Sequence, residues 1–238
     1  MEFQPGFADF SPGWFMQGHE VNMISFLVVL RSAETIFHQT LEFDLYVSTE
    51  LRTKEAANFL RCVQTAETLL NYIGRLVCPE MFSAGIEAIS KLQTGEGLDK
   101  TFDNIALWPS FFSGIEVISN RDTDQHRDQF SSPPVYDFLL SAGKHRNAWL
   151  QLADINASLS YDPGTVVALC GKILRHGVSP GWEGERICIA HFIRDNVHDR
   201  LKVQRPGWVT VKQFWEAMDQ DCFARQKWPA VYKAVNGL

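Results

Sequence analysis

The chain has 238 residues and a net charge of −6, with 45% hydrophobic and 12% aromatic residues. That length and apolar share belong to one large globular domain or two small ones, and they exclude a disordered chain. The N-terminus "MEFQPGFADF" has no basic leader pattern, and the longest early apolar run, "MISFLVVL", is far too short to cross a bilayer.

"MISFLVVL" reads as a strand. From Thr53 to about Leu92 the pattern becomes helical. Phe59, Leu60, Val63, Ala66, Leu69, Leu70, Ile73 and Leu76 recur at helical spacing, and Thr53 is placed to cap the start. Pro79 opens a second helix through "MFSAGIEAISKL", and "QTGEGLDK" is a loop. From about Leu107 to Ile193 the pattern shifts to short strands: "GIEVIS", "VYDFLL", "NAWLQL", "ASLSY", "GTVVALC", "ILRHGV" and "ERICIAHFI". Turn residues break them at the spacing of a sandwich or jelly roll. "TVKQFWEAMD" reads as a last helix opened by Thr210. The five cysteines, Cys62, Cys78, Cys170, Cys188 and Cys222, form no C-x-x-C, which points to a reducing intracellular compartment and no structural zinc.

Charge is unevenly placed. Residues 1–170 carry 11 basic and 21 acidic side chains, whereas residues 171–238 carry 11 and 7. A locally basic C-terminal third can hold a phosphate backbone although the whole chain is acidic. Lys172, Arg175, Arg200, Lys202 and Arg205 are the phosphate-contact candidates, with an ordinary solvated surface as the alternative.

One short stretch, "QHRDQF", sets His126 two residues before Asp128 just past the strand "GIEVIS". On a β-strand, residues two apart share a face. With His176 in "ILRHGV", 47 residues intervening, they form a two-histidine, one-carboxylate set that suits Fe(II) and leaves positions open for O2 and a cosubstrate. Arg186, after nine further residues, opens the next strand and is suited to clamp a dicarboxylate. This is the arrangement of double-stranded β-helix dioxygenases that use Fe(II) and 2-oxoglutarate. Asn120 and Arg121 lie just upstream of the iron ligands and are candidates for cosubstrate contact, although "NRDTD" also reads as a plain turn. His191 and His198 mimic a metal pair but are read as structural, and His145 in "AGKHRN" as a solvated turn residue.

"FFSGIEVISNRDTDQHRD", "YDPGTVVALCGKILRHGV" and "GERICIAHFIRDNVHDRL" resemble the transposon-associated fungal branch of the TET/JBP dioxygenases, which oxidise methylated bases in DNA. The resemblance implies an α+β, mainly β fold: a double-stranded β-helix (jelly-roll) core flanked by helices from the N-terminal and C-terminal stretches. It implies a single dioxygenase domain over residues 1–238, with flanks at 1–106 and 202–238 around a core at 107–201. His126, Asp128 and His176 carry over as iron ligands, and Arg186 as the clamp for 2-oxoglutarate. Phe192 falls where the family stacks an aromatic ring on a flipped base. Two positions depart: Arg194 stands where the family has a histidine that bonds the cytosine edge, and Ser131 where it has a cytosine-reading asparagine. Strict cytosine reading is therefore not implied.

The expected activity is oxidation of 5-methylcytosine to hydroxymethyl, formyl and carboxyl products, with N6-methyladenine demethylation as a second reaction. The implied partner is double-stranded DNA, the chain a monomer in the nucleus with no membrane association. Two alternatives stay open: a 2-oxoglutarate oxygenase of a protein or small molecule, and a non-catalytic DNA-binding module on the same fold.

Overall fold

The computed structural model describes residues 4–13, 45–129 and 131–208. The expected strand "MISFLVVL", the expected helix "TVKQFWEAMD" and residues 209–238 of the C-terminal flank lie outside the described residues.

Two helices precede the core. α1 spans Lys54–Val77 and α2 spans Pro79–Gln93. Thr53 caps α1 as expected, its side chain accepting from the Ala56 N–H, and Pro79 opens α2. The buried stripe of α1 differs from the apolar positions in one respect. It runs through Ala56, Leu60, Glu67, Leu70 and Gly74, while Leu69 is exposed. A carboxylate thus occupies a core position, because a histidine from the sheet meets it there.

Among the described residues there are nine strands: β1 Gly6–Phe10, which the sequence did not lead one to expect, and then, in line with the jelly-roll expectation, β2 Gly114–Ser119, β3 Thr123–His126, β4 Asp137–Gly143, β5 Trp149–Leu152, β6 Ala157–Ser160, β7 Val166–Leu169, β8 His176–Val178 and β9 Arg186–Phe192. A short helix, α3, spans Asp195–Arg200. The strands form a five-stranded sheet in the order β1-β2-β9-β4-β7 and a four-stranded sheet in the order β3-β8-β5-β6, antiparallel throughout. Among the described residues no helix is long and apolar enough to cross a membrane.

Alternation along the larger sheet divides the core. Ile115, Val117 and Ile189 pack with Leu60, Ala88 and Leu92 of the helices. Phe138 and Ile193 pack with Leu70, Met81, Phe111 and Phe112. The opposite parity, Ile118, Leu139, Val167 and Cys188, meets Leu150, Leu152 and Val178 of the smaller sheet. β2, β4, β7 and β9 therefore carry apolar residues on both faces, one toward the helices and one toward the space between the sheets. That inner space, at its open end, holds the polar residues.

His145 corrects the sequence reading. It is 3% exposed, and its Nε2 lies 3.1 Å from Ser141 Oγ and 2.9 Å from the Tyr161 carbonyl. A turn composition "AGKHRN" reads as solvated, but the ring turns inward and ties β4 to the segment after β6.

Candidate active site

The site forms where β3 meets β8. Their register sets His126 directly opposite His176, with ring centroids 4.4 Å apart. Asp128 lies two residues past the end of β3, beyond the strand on which the spacing argument set it. Its backbone N–H donates to the Gly171 carbonyl, which brings the carboxylate back toward both rings. Asp128 Oδ1 is 3.5 Å from His126 Nε2, and Oδ2 is 3.7 Å from His176 Nε2. Candidate ligand atoms of the three residues all lie within 4.8 Å of one another.

Hydrogen bonding fixes which nitrogen is available. His126 Nδ1 lies 2.8 Å from the Asp124 carbonyl, and His176 Nδ1 lies 3.0 Å from the Leu174 carbonyl. A carbonyl only accepts, so each Nδ1 donates to it and Nε2 is the ring nitrogen that each histidine turns toward Asp128. Backbone acceptors behind metal-binding histidines act in this way. Burial pushes the Asp128 carboxyl up, but His126 and His176 outweigh it and the net shift is downward. Asp128 in turn holds His126 above the ordinary imidazole range. Two Nε2 lone pairs and an ionised carboxylate are a donor set that fits Fe(II).

Gly171 belongs to this geometry. A Cβ there would overlap the Asp128 carboxylate and approach Asp137 Oδ2 at 2.6 Å. Asp137 is 4% exposed, accepts from Ser131 Oγ at 3.0 Å, and is pushed up to about 8 by burial first and by Asp128 second.

Arg186 is the largest fully buried side chain, at 2% exposure. Its guanidinium donates from Nη1 to the Arg121 carbonyl at 3.2 Å and lies 5.5 Å from the Tyr161 ring centroid. Its Nε is buried without a protein partner. Asn120 holds the strand start, its Oδ1 accepting from the Arg186 N–H at 2.8 Å while its own backbone adopts φ 44°. Asn120 and Arg121 thus bear on Arg186. A buried guanidinium with an unsatisfied N–H fits an anionic carboxylate.

Arg186, the triad, Ser131, Phe192 and Arg194 line one cavity of about 110 Å³ between the sheets. Phe192 is held from behind by Gly114, where a Cβ would overlap its ring. The Arg194 guanidinium lies 4.3 Å from the Phe192 ring centroid and donates from Nη1 to Ser131 Oγ at 3.3 Å. The phosphate candidates differ in what they already hold. Arg205 bonds Asp199 and Asp195, Lys172 Nζ bonds the Gln129 carbonyl, and Arg175 and Lys202 are exposed. Sequence reasoning missed Glu116, Asp137 and Tyr161, which also line the cavity. Strand parity was the signal for Glu116, two residues from Gly114 on the inward face of "GIEVIS".

A facial two-histidine, one-carboxylate set and a buried arginine inside two antiparallel sheets define a 2-oxoglutarate-dependent dioxygenase. Residues 46–195 match the family model Tet_JBP, the oxygenase domain of the 2OGFeDO superfamily. The chain belongs to this TET/JBP family. The solved structure of NgTET1 in complex with 5mC DNA is similar in fold, with a TM-score of 0.52 and 17% identity over 83% of this chain and 74% of that one. No curated protein matches the sequence.

Proposed function

We propose that this chain oxidises methylated bases in DNA, with 5-methylcytosine as the main substrate and N6-methyladenine as a second. The observation that carries this reading is the shared cavity: triad, Arg186, Phe192 and Arg194 line one space. The NgTET1 complex, similar in fold, holds 5mC DNA. His126, Asp128 and His176 would hold Fe(II), and Arg186 the distal carboxylate of 2-oxoglutarate, with Asn120 and Arg121 orienting Arg186. Iron with 2-oxoglutarate and O2 supplies oxidation of an unactivated C–H bond.

The balance is one O2, one 2-oxoglutarate and one methyl group giving succinate, CO2 and a hydroxymethyl group. One oxygen atom enters succinate and the other the hydroxyl. On 5-methylcytosine the carbon-bound product is stable and open to further oxidation to formyl and carboxyl forms. On N6-methyladenine the nitrogen-bound hydroxymethyl group leaves as formaldehyde and restores adenine.

The chain's own residues do the positioning. A base inside the duplex cannot enter this cavity, so it must leave the stack. Phe192 would stack on the base, worth about 1–3 kcal/mol, with Arg194 moving from over its ring to the base edge. Arg194 and Ser131 stand at the base edge, and a guanidinium donates to the acceptor nitrogens that both cytosine and adenine present. Lys172, Arg175, Arg200, Lys202 and Arg205 are the phosphate contacts, with Arg175 and Lys202 exposed and Arg205 already bonded to Asp199 and Asp195. A nuclear, monomeric enzyme is the form this reading implies.

The test is incubation with matched duplexes carrying one 5-methylcytosine, one N6-methyladenine or neither, with Fe(II), ascorbate and 2-oxoglutarate. Nucleoside mass spectrometry reads the products. Hydroxymethylcytosine and loss of N6-methyladenine are expected. Succinate without any base product would move the substrate to a protein or small molecule.

A further inference from the structure

Glu116 sits on the inward face of β2, opposite Ala190 of β9 and Asp9 of β1. It lines the same cavity as the triad and Phe192. Burial and then Asp9 push its carboxyl above the ordinary range, and Arg121 and Arg194 pull the other way. Yet among the described residues no hydrogen bond or ion pair reaches it. Arg194 turns to Ser131 and lies over Phe192, and the Arg121 guanidinium lies over the Phe7 ring. A half-buried acceptor facing a cavity with no protein donor is completed by a donor from whatever enters.

The chemistry of methylated bases decides which donor that is. Consider a base stacked on Phe192 with its methyl group at the triad. In 5-methylcytosine the neighbour of the methyl-bearing carbon bears an amino group. In N6-methyladenine the methyl-bearing nitrogen keeps one N–H. In thymine the neighbour is a carbonyl oxygen. A carboxylate accepts from the first two and repels the third. Arg194, a donor, complements the ring nitrogen beside the amino group in cytosine and adenine; thymine carries an N–H there.

We propose that Glu116 selects the base, accepting a hydrogen bond from the amino group beside the methyl while Arg194 donates to the neighbouring ring nitrogen. The site then takes amino-bearing methylated bases and turns away thymine. This inference rests on the DNA-base reading above and adds the residue that sets its substrate class. It also gives the unexpected arginine at position 194 a partner. The two side chains together present one acceptor and one donor, the complement of an amidine edge.

The test uses the full chain and two duplexes in one tube, one carrying 5-methylcytosine and the other thymine at the same position. Fe(II), 2-oxoglutarate and ascorbate are supplied, and the two hydroxymethyl nucleosides are counted by mass spectrometry. Wild type should favour 5-methylcytosine strongly. In Glu116→Gln the amide can present either its oxygen or its NH2, so the preference should fall by about ten- to a hundredfold, the size of one charge-assisted hydrogen bond. Because both substrates compete for the same molecules, the ratio does not depend on how much enzyme is folded. A wild-type enzyme that oxidises neither base sinks the DNA reading itself. A wild type that oxidises 5-methylcytosine, with an unchanged ratio in Glu116→Gln, overturns the role of Glu116 alone. So does a variant dead on both bases.

Discussion

Among the described residues there are two histidine–carboxylate groups, and they differ in what each leaves over. In the sealed one, His191 of β9 faces the helices and meets Glu67 of α1, with Nε2 2.7 Å from Oε1 and both side chains at most 1% exposed. His191 Nδ1 donates to the Phe138 carbonyl at 3.1 Å. The contact to Glu67 then needs a second proton, on Nε2 or on the carboxyl, so no imidazole lone pair remains to offer. In the open group, both Nδ1 protons go to carbonyls and both Nε2 atoms stand 3.5–3.7 Å from Asp128, too far for a good hydrogen bond. The His126 side chain is 43% exposed and that of Asp128 is 30%. The same residue types therefore build a structural tie in one place and a metal-binding mouth in the other. Unspent lone pairs and access separate them.

Breaking each group in turn tests that contrast. Asp128→Ala or His176→Ala should abolish 2-oxoglutarate turnover while circular dichroism stays that of the wild type, since both lie at the mouth and outside the three apolar clusters. Wild-type succinate formation in either variant would remove the triad assignment. Glu67→Ala should do the reverse. It leaves His191 buried without its partner, a loss of about 3–5 kcal/mol, or about 6–20 °C in melting temperature for a chain of this size. Iron bound per folded molecule should not change. Replacing both residues, Glu67→Leu with His191→Phe, should recover much of that stability, and a double variant as unstable as the single one would show that the pair is no tie.

Arg186 belongs to the open site although it is fully buried. Arg186→Met removes a charge-assisted pair worth about 1.5–3 kcal/mol, so the apparent affinity for 2-oxoglutarate should fall about ten- to a hundredfold. DNA affinity should change far less, and an equal fall in both would make Arg186 structural. The smallest effect is expected at His198 of α3, which is 0% exposed with neither ring nitrogen hydrogen-bonded. Burial holds its pKa below the ordinary value, against the opposing pull of Asp195 and Asp199. The unfolded chain binds the proton more readily, so stability is present above about pH 6.5 and is lost as pH falls through that value. His198→Phe should flatten the melting temperature between pH 7.5 and 5.5 by a few degrees, read by differential scanning fluorimetry.

β2, β4, β7 and β9 of the larger sheet were legible because each carries an apolar run bounded by turn residues, as in "GIEVIS" and "ERICIAHFI", whereas β1, "GFADF", was not among the expected strands. Nor was β3. "TDQH" has no apolar residue, and what makes it a strand is its pairing with β8, some fifty residues later. The grouping of His126, Asp128 and His176 was legible from their joint spacing together with the family resemblance, although the spacing argument set Asp128 on a strand and it lies in the turn beyond. Glu67 could not be read at all. A glutamate on a helix looks like a solvated face until its partner, 124 residues away, comes into contact. His145 failed for the same reason, since its acceptor is supplied by Tyr161 from another segment. Local pattern reveals what a residue does with its sequence neighbours, and these residues are defined by distant ones.

The weak pairing of β3 has a mechanical consequence. It is an outer strand of its sheet, four residues long, held to β8 through a register that slips between Thr123 and His126. The two histidines that face each other there sit on the two strands that need fastening. An ion held by both would act as a clasp, closing the loop between them as a cross-link does and favouring the folded state by mass action. Loading the protein with a redox-inert divalent ion should therefore slow amide hydrogen exchange in β3 and β8 before it changes anything in α1. The catalytic centre would then also be the rivet that keeps this end of the barrel from opening.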